Sequence, residues 1–226
     1  MPTIRWPYRE DNLFSFLSLV VLILPLVFVL LTYETFETAK LTCFMLFVGG
    51  ALLVFFRRLR AGLNVWQLDK ASLWIIGALG LLAIASTLFS QDRLFSLFGV
   101  YYRLTSSLLF YGLWAAFFLL LQFSLTRDRL EFLLKLVCFG AMINGLMSFL
   151  QSLRITYYVS GAPDVFLRPP GLLGNPDFTA MFLAVSFPLA FYFLWQGKHR
   201  WSKIYFALVL LFIVLGSVVT TSRGSI

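Results

Sequence analysis

The chain has 226 residues, of which 60% are hydrophobic and 12% charged, with a formal net charge of +8 and a mean hydropathy of +0.88. A soluble domain carries about 45–50% apolar and about 25% charged residues, so this composition excludes an ordinary soluble globular domain. Two cysteines, Cys43 and Cys138, both inside apolar runs, exclude a disulfide framework and are expected to be free, packed thiols.

The elements follow from run length, because a membrane-crossing helix needs about 20 predominantly apolar residues. Seven stretches without a charged residue approach or meet that length: Leu13–Thr32, Leu41–Phe56, Ala71–Ser90, Leu104–Thr126, Leu136–Leu153, Phe178–Gly197 and Ile204–Ser222. The second is short, but Ala39 and a snorkelling Lys40 extend it. Lipid offers the backbone no hydrogen-bond partner, so all seven are predicted to be helices. The expected fold is therefore an all-α polytopic membrane helical bundle of about seven transmembrane helices, a single integral-membrane domain over residues 1–226. The first run is too long, and Tyr33-Glu34-Thr35 too poor in small residues, for a cleaved signal peptide. Pro25 and Pro188 fall inside spans and are predicted to kink them.

Lys and Arg in the loops set the orientation. With the N-terminus in the cytoplasm, the inner segments hold Arg5, Arg9, Arg57, Arg58, Arg60, Lys70, Arg127, Arg129, Lys135, Lys198, Arg200 and Lys203. The outer segments hold only Lys40, Arg93, Arg103, Arg154, Arg168 and Arg223. The basic charge is thus assigned to topology and not to nucleic acid. The lone histidine, His199, falls between Lys198 and Arg200 in an inner loop and reads as a solvated loop residue. No His, Cys or carboxylate cluster has metal-ligand spacing, and there is no nucleotide-binding fingerprint.

The outer loops carry the chemistry. Residues 168–177 read Arg-Pro-Pro-Gly-Leu-Leu-Gly-Asn-Pro-Asp, directly before an apolar run. Three prolines fix φ and two glycines admit φ values that other residues avoid, so the segment is built to hold a shape at the membrane surface. Pro176 suits a first helical position, and Asn175 or Asp177 can cap that helix. Five of the six outer basic residues are Arg, against the topological tendency, and Arg binds phosphate oxygens bidentately. These arginines can present an anionic ligand site, or they can snorkel or pair with Asp92, Asp164 or Asp177. Arg223 follows the hydroxyls of Thr220, Thr221 and Ser222 and precedes Gly224, which suits a lipid pyrophosphate at headgroup depth.

Arg168–Asp177, with Ala180 and Pro188 after it, resembles the Arg-x-x-Gly-x-x-Gly-Asn-Pro-Asn segment of the O-antigen ligase and polymerase superfamily, which also includes protein O-oligosaccharyltransferases. Thr221-Ser222-Arg223-Gly224-Ser225 is similar to that family's Ser-Arg-Gly segment, and Phe98-Gly99-Val100-Tyr101-Tyr102-Arg103 to its upstream Phe-Gly-x-Tyr-x-Arg stretch. The three occur in the family's order over roughly residues 70–226. The resemblance implies an inverting, metal-independent glycosyltransferase without a cofactor, multi-pass in the bacterial inner membrane with a periplasmic active face. Its donor is a glycan on undecaprenyl pyrophosphate, and its acceptor a hydroxyl of lipid A core, a polysaccharide or a protein. Arg223 takes the catalytic position on the donor pyrophosphate, with Arg103, Arg168, Asn175, Asp177 and Ser222 as substrate-binding residues. Asp177 departs from the family's usual Asn and adds a negative charge there. The family's later spans, and the large outer loop whose His helps activate the acceptor, have no counterpart in residues 1–226. The resemblance therefore implies that this is the N-terminal part of a longer enzyme, inactive by itself.

Two other functions fit the same composition: a transporter or flippase of lipid-linked glycans, and a non-catalytic partner in envelope assembly. The charge-free spans count against ion-coupled transport. A large outer loop with His and Arg downstream of residue 226 marks the transferase, and a repeat of the first six spans marks the carrier.

Overall fold

The computed structural model of the chain describes residues 12–27, 37–61, 70–99, 107–155 and 168–220. Among them 84% are helical and none is in a strand. Among the described residues eight helices follow one another: α1 (Asn12–Ile23), α2 (Glu37–Arg60), α3 (Lys70–Leu88), α4 (Arg93–Phe98), α5 (Leu108–Ser124), α6 (Arg127–Ser152), α7 (Pro176–Gln196) and α8 (Arg200–Thr220). Five of them, α2, α3, α6, α7 and α8, are long and apolar enough to cross a membrane, and α1 and α5 are shorter apolar helices. Large apolar side chains point outward on all five long helices: Leu46 is 69% exposed, Leu79 61%, Met181 62% and Val218 66%, and Leu130 of α6 is also exposed. A water-soluble surface does not carry so much apolar area, so the protein is membrane-embedded.

Local chemistry explains where the helices depart from the predicted runs. α1 stops at Ile23, although the apolar run continues to Thr32. Pro25 has no N–H to donate and disfavours helical geometry in the residue before it, so it ends the helix where a kink was expected. The amides of Leu26 and Val27 both turn back to the Ile23 carbonyl, at 2.9 and 2.8 Å. α4 was not predicted. Asp92 caps it by accepting from the Phe95 amide at 3.2 Å, and Gly99 closes it at φ 83°. Ser107 caps α5 by accepting from the Phe110 amide at 3.2 Å, so that helix starts after the beginning of its apolar run. Pro188 does sit inside α7, which continues through it to Gln196.

The chain divides into two compact units. The first comprises Met1–Val20 and Leu41–Arg127. There α2 packs on α5 through aromatic rings, with Phe44 4.6 Å from Trp114 and Phe55 4.9 Å from Phe123, centroid to centroid. The α3 helix lies against α4 and α5 yet buries none of its residues.

The second unit comprises Val21–Lys40 and Asp128–Ile226. α7 and α8 are neighbours joined across Gly197–His199, where His199 is exposed as expected. Their core takes Leu183, Ala190 and Phe193 from α7 and Phe206, Val209 and Ile213 from α8, with Cys138 and Ala141 from α6. Phe193 and Phe206 stack at 5.1 Å. Both cysteines are free thiols, Cys138 fully buried. α6 and α8 touch backbone to backbone where Gly145 meets Gly216: a Cβ on Gly216 would lie 2.6 Å from the Gly145 Cα. Lipid tails are as apolar as leucine, so such close contact, rather than hydrophobic burial, holds helices together in a bilayer.

Candidate functional site

Residues 168–177 lie entirely within the second unit and are all described. The segment packs against α6: the Gln151 side chain reaches Gly171, and the Asn144 side chain reaches Leu172. Buried non-helical backbone must be satisfied by the protein around it.

Side chains do this. Gln151 presents its amide to Gly171 as a peptide would, its Oε1 accepting from the Gly171 N–H at 2.9 Å and its Nε2 donating to the Gly171 carbonyl at 3.4 Å. Asn144 Oδ1 accepts from the Leu172 N–H at 3.1 Å, and Lys40 Nζ donates to the Leu172 carbonyl at 3.1 Å. Thr179 Oγ1 donates to the Pro170 carbonyl at 2.6 Å. Asn144 also donates to the carbonyls of Pro25 at 2.8 Å and Gly140 at 3.0 Å, which ties the broken end of α1 to the same point. Asn144 and Thr179 are fully buried and Gln151 is 3% exposed. Each such backbone group left unpaired would cost about 1–3 kcal/mol.

The two glycines make this path possible, with Gly171 at φ 60° and Gly174 at φ 81°. A Cβ on Gly171 would also sit 2.9 Å from the buried Ser148 hydroxyl and 3.2 Å from Thr179. Gly171→Ala is therefore expected to lose about 2 kcal/mol, given about 1–2 kcal/mol for the left-handed backbone alone. A lowered Tm of the purified protein in detergent checks this.

At the rim, Asn175 caps α7: its Oδ1 accepts from the Asp177 amide at 2.8 Å, and Pro176 takes the first helical position. Arg168 lies across this end. Its guanidinium pairs with the Asp177 carboxylate, and its Nε donates to the Thr220 carbonyl at 3.1 Å. The pairing alternative for Arg168 is thus realised, and the charge that Asp177 adds is matched locally. Both side chains are exposed enough, at 38% and 55%, that the pair is worth about 0–1 kcal/mol and opens readily to a stronger anion.

Of the predicted site residues, Arg168, Asn175 and Asp177 come together at this rim. Arg103, Ser222 and Arg223 lie outside the described residues. Thr220, which Arg168 holds, is the last described residue of α8. Among the described residues no group of three or more His, Cys, Asp or Glu could hold a metal ion. The predicted set omitted Lys40, Asn144, Gln151 and Thr179. Their signal was present as Asn144, Ser148 and Gln151 at i, i+4 and i+7, a polar stripe within an otherwise apolar run. Comparison with protein-family models, with curated proteins and with solved structures finds no match.

Proposed function

We propose that the protein transfers a glycan from an undecaprenyl-pyrophosphate donor to a hydroxyl acceptor at the outer face of the bacterial inner membrane. The observation that carries this reading is the hydrogen bond from Arg168 to the Thr220 carbonyl. It joins the shaped 168–177 loop to Thr220 at the end of α8, three positions in sequence before Arg223, which supports a shared role for the two segments.

The chemistry is an inverting displacement. The acceptor oxygen forms a bond to the anomeric carbon as the bond to the donor phosphate oxygen breaks, and the acceptor proton leaves to a base. Undecaprenyl pyrophosphate departs with more negative charge than it had as a diester. A fixed guanidinium in a poorly hydrated site stabilises that developing charge more than it stabilises the bound donor. Arg223 takes this role. Arg168 supplies a second guanidinium once the incoming pyrophosphate displaces the Asp177 carboxylate.

The test is full-length protein in proteoliposomes with an undecaprenyl-pyrophosphate-linked glycan and a hydroxyl acceptor. Transfer should release free undecaprenyl pyrophosphate in step with glycosylated acceptor. Movement of intact lipid-linked glycan across the bilayer, with no bond cleaved, would contradict the reading and favour a carrier.

A further inference from the structure

We infer that Gln151, Asn144 and Lys40 are positioning residues that set the place of Arg168 by holding the loop after it. This rests on the pyrophosphate reading of Arg168. Gly171 and Leu172 carry four backbone polar groups in succession, and all four are taken by these three side chains, with Gln151 on both groups of Gly171. A loop that only joined two spans would satisfy its backbone with its own turns or with water. Here an amide is spent on each of two consecutive N–H groups, inside a helix that otherwise faces lipid or packed apolar neighbours. Asn144 is itself fixed by the carbonyls of Pro25 and Gly140. Thr179 pins Pro170 from the α7 side. Arg168 is three positions from Gly171, and both intervening residues are prolines, which transmit its position stiffly. The anchoring bonds go to Gly171 and Leu172 and not to Arg168, so their effect on a ligand at Arg168 runs through the loop backbone.

Amide hydrogen exchange of the full-length protein in nanodiscs tests the anchor directly. Pro169, Pro170 and Pro176 carry no N–H, so a peptide over residues 168–176 reports mainly on Gly171 to Asn175. Gln151→Met should speed exchange at Gly171 and Asn144→Leu at Leu172, each about tenfold, since a lost buried hydrogen bond lowers local protection by that order. Lys40→Met leaves the buried amides intact and removes the donor to the Leu172 carbonyl; by loosening the loop it should speed exchange across Gly171 to Asn175 with normal insertion, which covers the case in which Asn144→Leu fails to fold. The second readout is retention of undecaprenyl pyrophosphate. Gln151→Met should weaken it about tenfold in an Arg168 background and not at all in an Arg168→Ala background, whereas general damage would weaken it in both. Unchanged exchange in all three variants overturns the proposal. So does faster exchange with equal loss of retention in both backgrounds. If Arg168→Ala alone retains undecaprenyl pyrophosphate normally while exchange responds as expected, the pyrophosphate reading fails and the anchor stands.

Discussion

Replacing Arg223 with Ala should abolish glycan transfer by the full-length protein while leaving expression and membrane insertion unchanged. The size of the effect follows from the chemistry. Removing one preorganised donor from a site of developing negative charge costs about 10²–10³ in rate, and a full charge in a poorly hydrated site is worth more than a neutral donor. Arg223→Lys should also be poor, because an ammonium is a point charge and cannot span two phosphate oxygens as a guanidinium fork does. Near-normal transfer by Arg223→Ala, measured as glycosylated acceptor formed over time, would remove the pyrophosphate role.

The second large effect is structural. Gly145→Leu should cost at least about 3 kcal/mol, the upper end of what overpacking usually costs. A Cβ on Gly145 would overlap the carbonyl of Phe212, lying 2.7 Å from its carbon, and these are backbone atoms that no rotamer change can move aside. The only relief is to push α6 away from α8, which parts the helices that present Asn144, Gln151 and Thr220 to the loop. Loss of a cooperative thermal transition in detergent, or a large fall in Tm, is the expected result. Gly77 on α3 is the control, because nothing lies within 4 Å of its Cβ position. Gly77→Ala should leave Tm unchanged or slightly raised.

Much of the fold was legible because lipid leaves the backbone few choices. Charge-free runs predicted α7 and α8 to within a few residues, and Asn175 with Pro176 marked the start of α7, but α6 begins at Arg127, nine residues before its run, because charged residues at a span end stay helical while reaching water. Pro25 was read as a kink because apolar residues continue beyond it, yet the missing N–H ends α1 there. α4 was hidden because six residues are too few for a periodicity. Lys40 looked like a snorkelling cation at a span end, and only the fold reveals the Leu172 carbonyl beneath it. The amides of Asn144 and Gln151 escaped notice for a related reason. They carry no charge, so a count of charged residues passes over them, although a buried amide in a bilayer must also have a partner. Run length reports what lipid tolerates. It does not report what a buried loop requires.

The site was legible in its parts and not in its connections. Arg168 and Asp177 were both marked as polar residues in a stiff loop, with pairing between them left open. Their ion pair is local, nine residues apart, but the bond from Arg168 to Thr220 depends on α8 returning to the same end of the unit, a relation across 52 residues that local sequence does not carry.

Retention of undecaprenyl pyrophosphate by the full-length protein in nanodiscs, followed by native mass spectrometry, bears most directly on the rim as a pyrophosphate site. The protein should hold one molecule per chain, and Arg168→Ala should weaken retention at least about tenfold, while Asp177→Asn, which frees the guanidinium from its internal carboxylate, should hold it at least as tightly. Equal retention by the parent protein and by Arg168→Ala would contradict a pyrophosphate site at this rim.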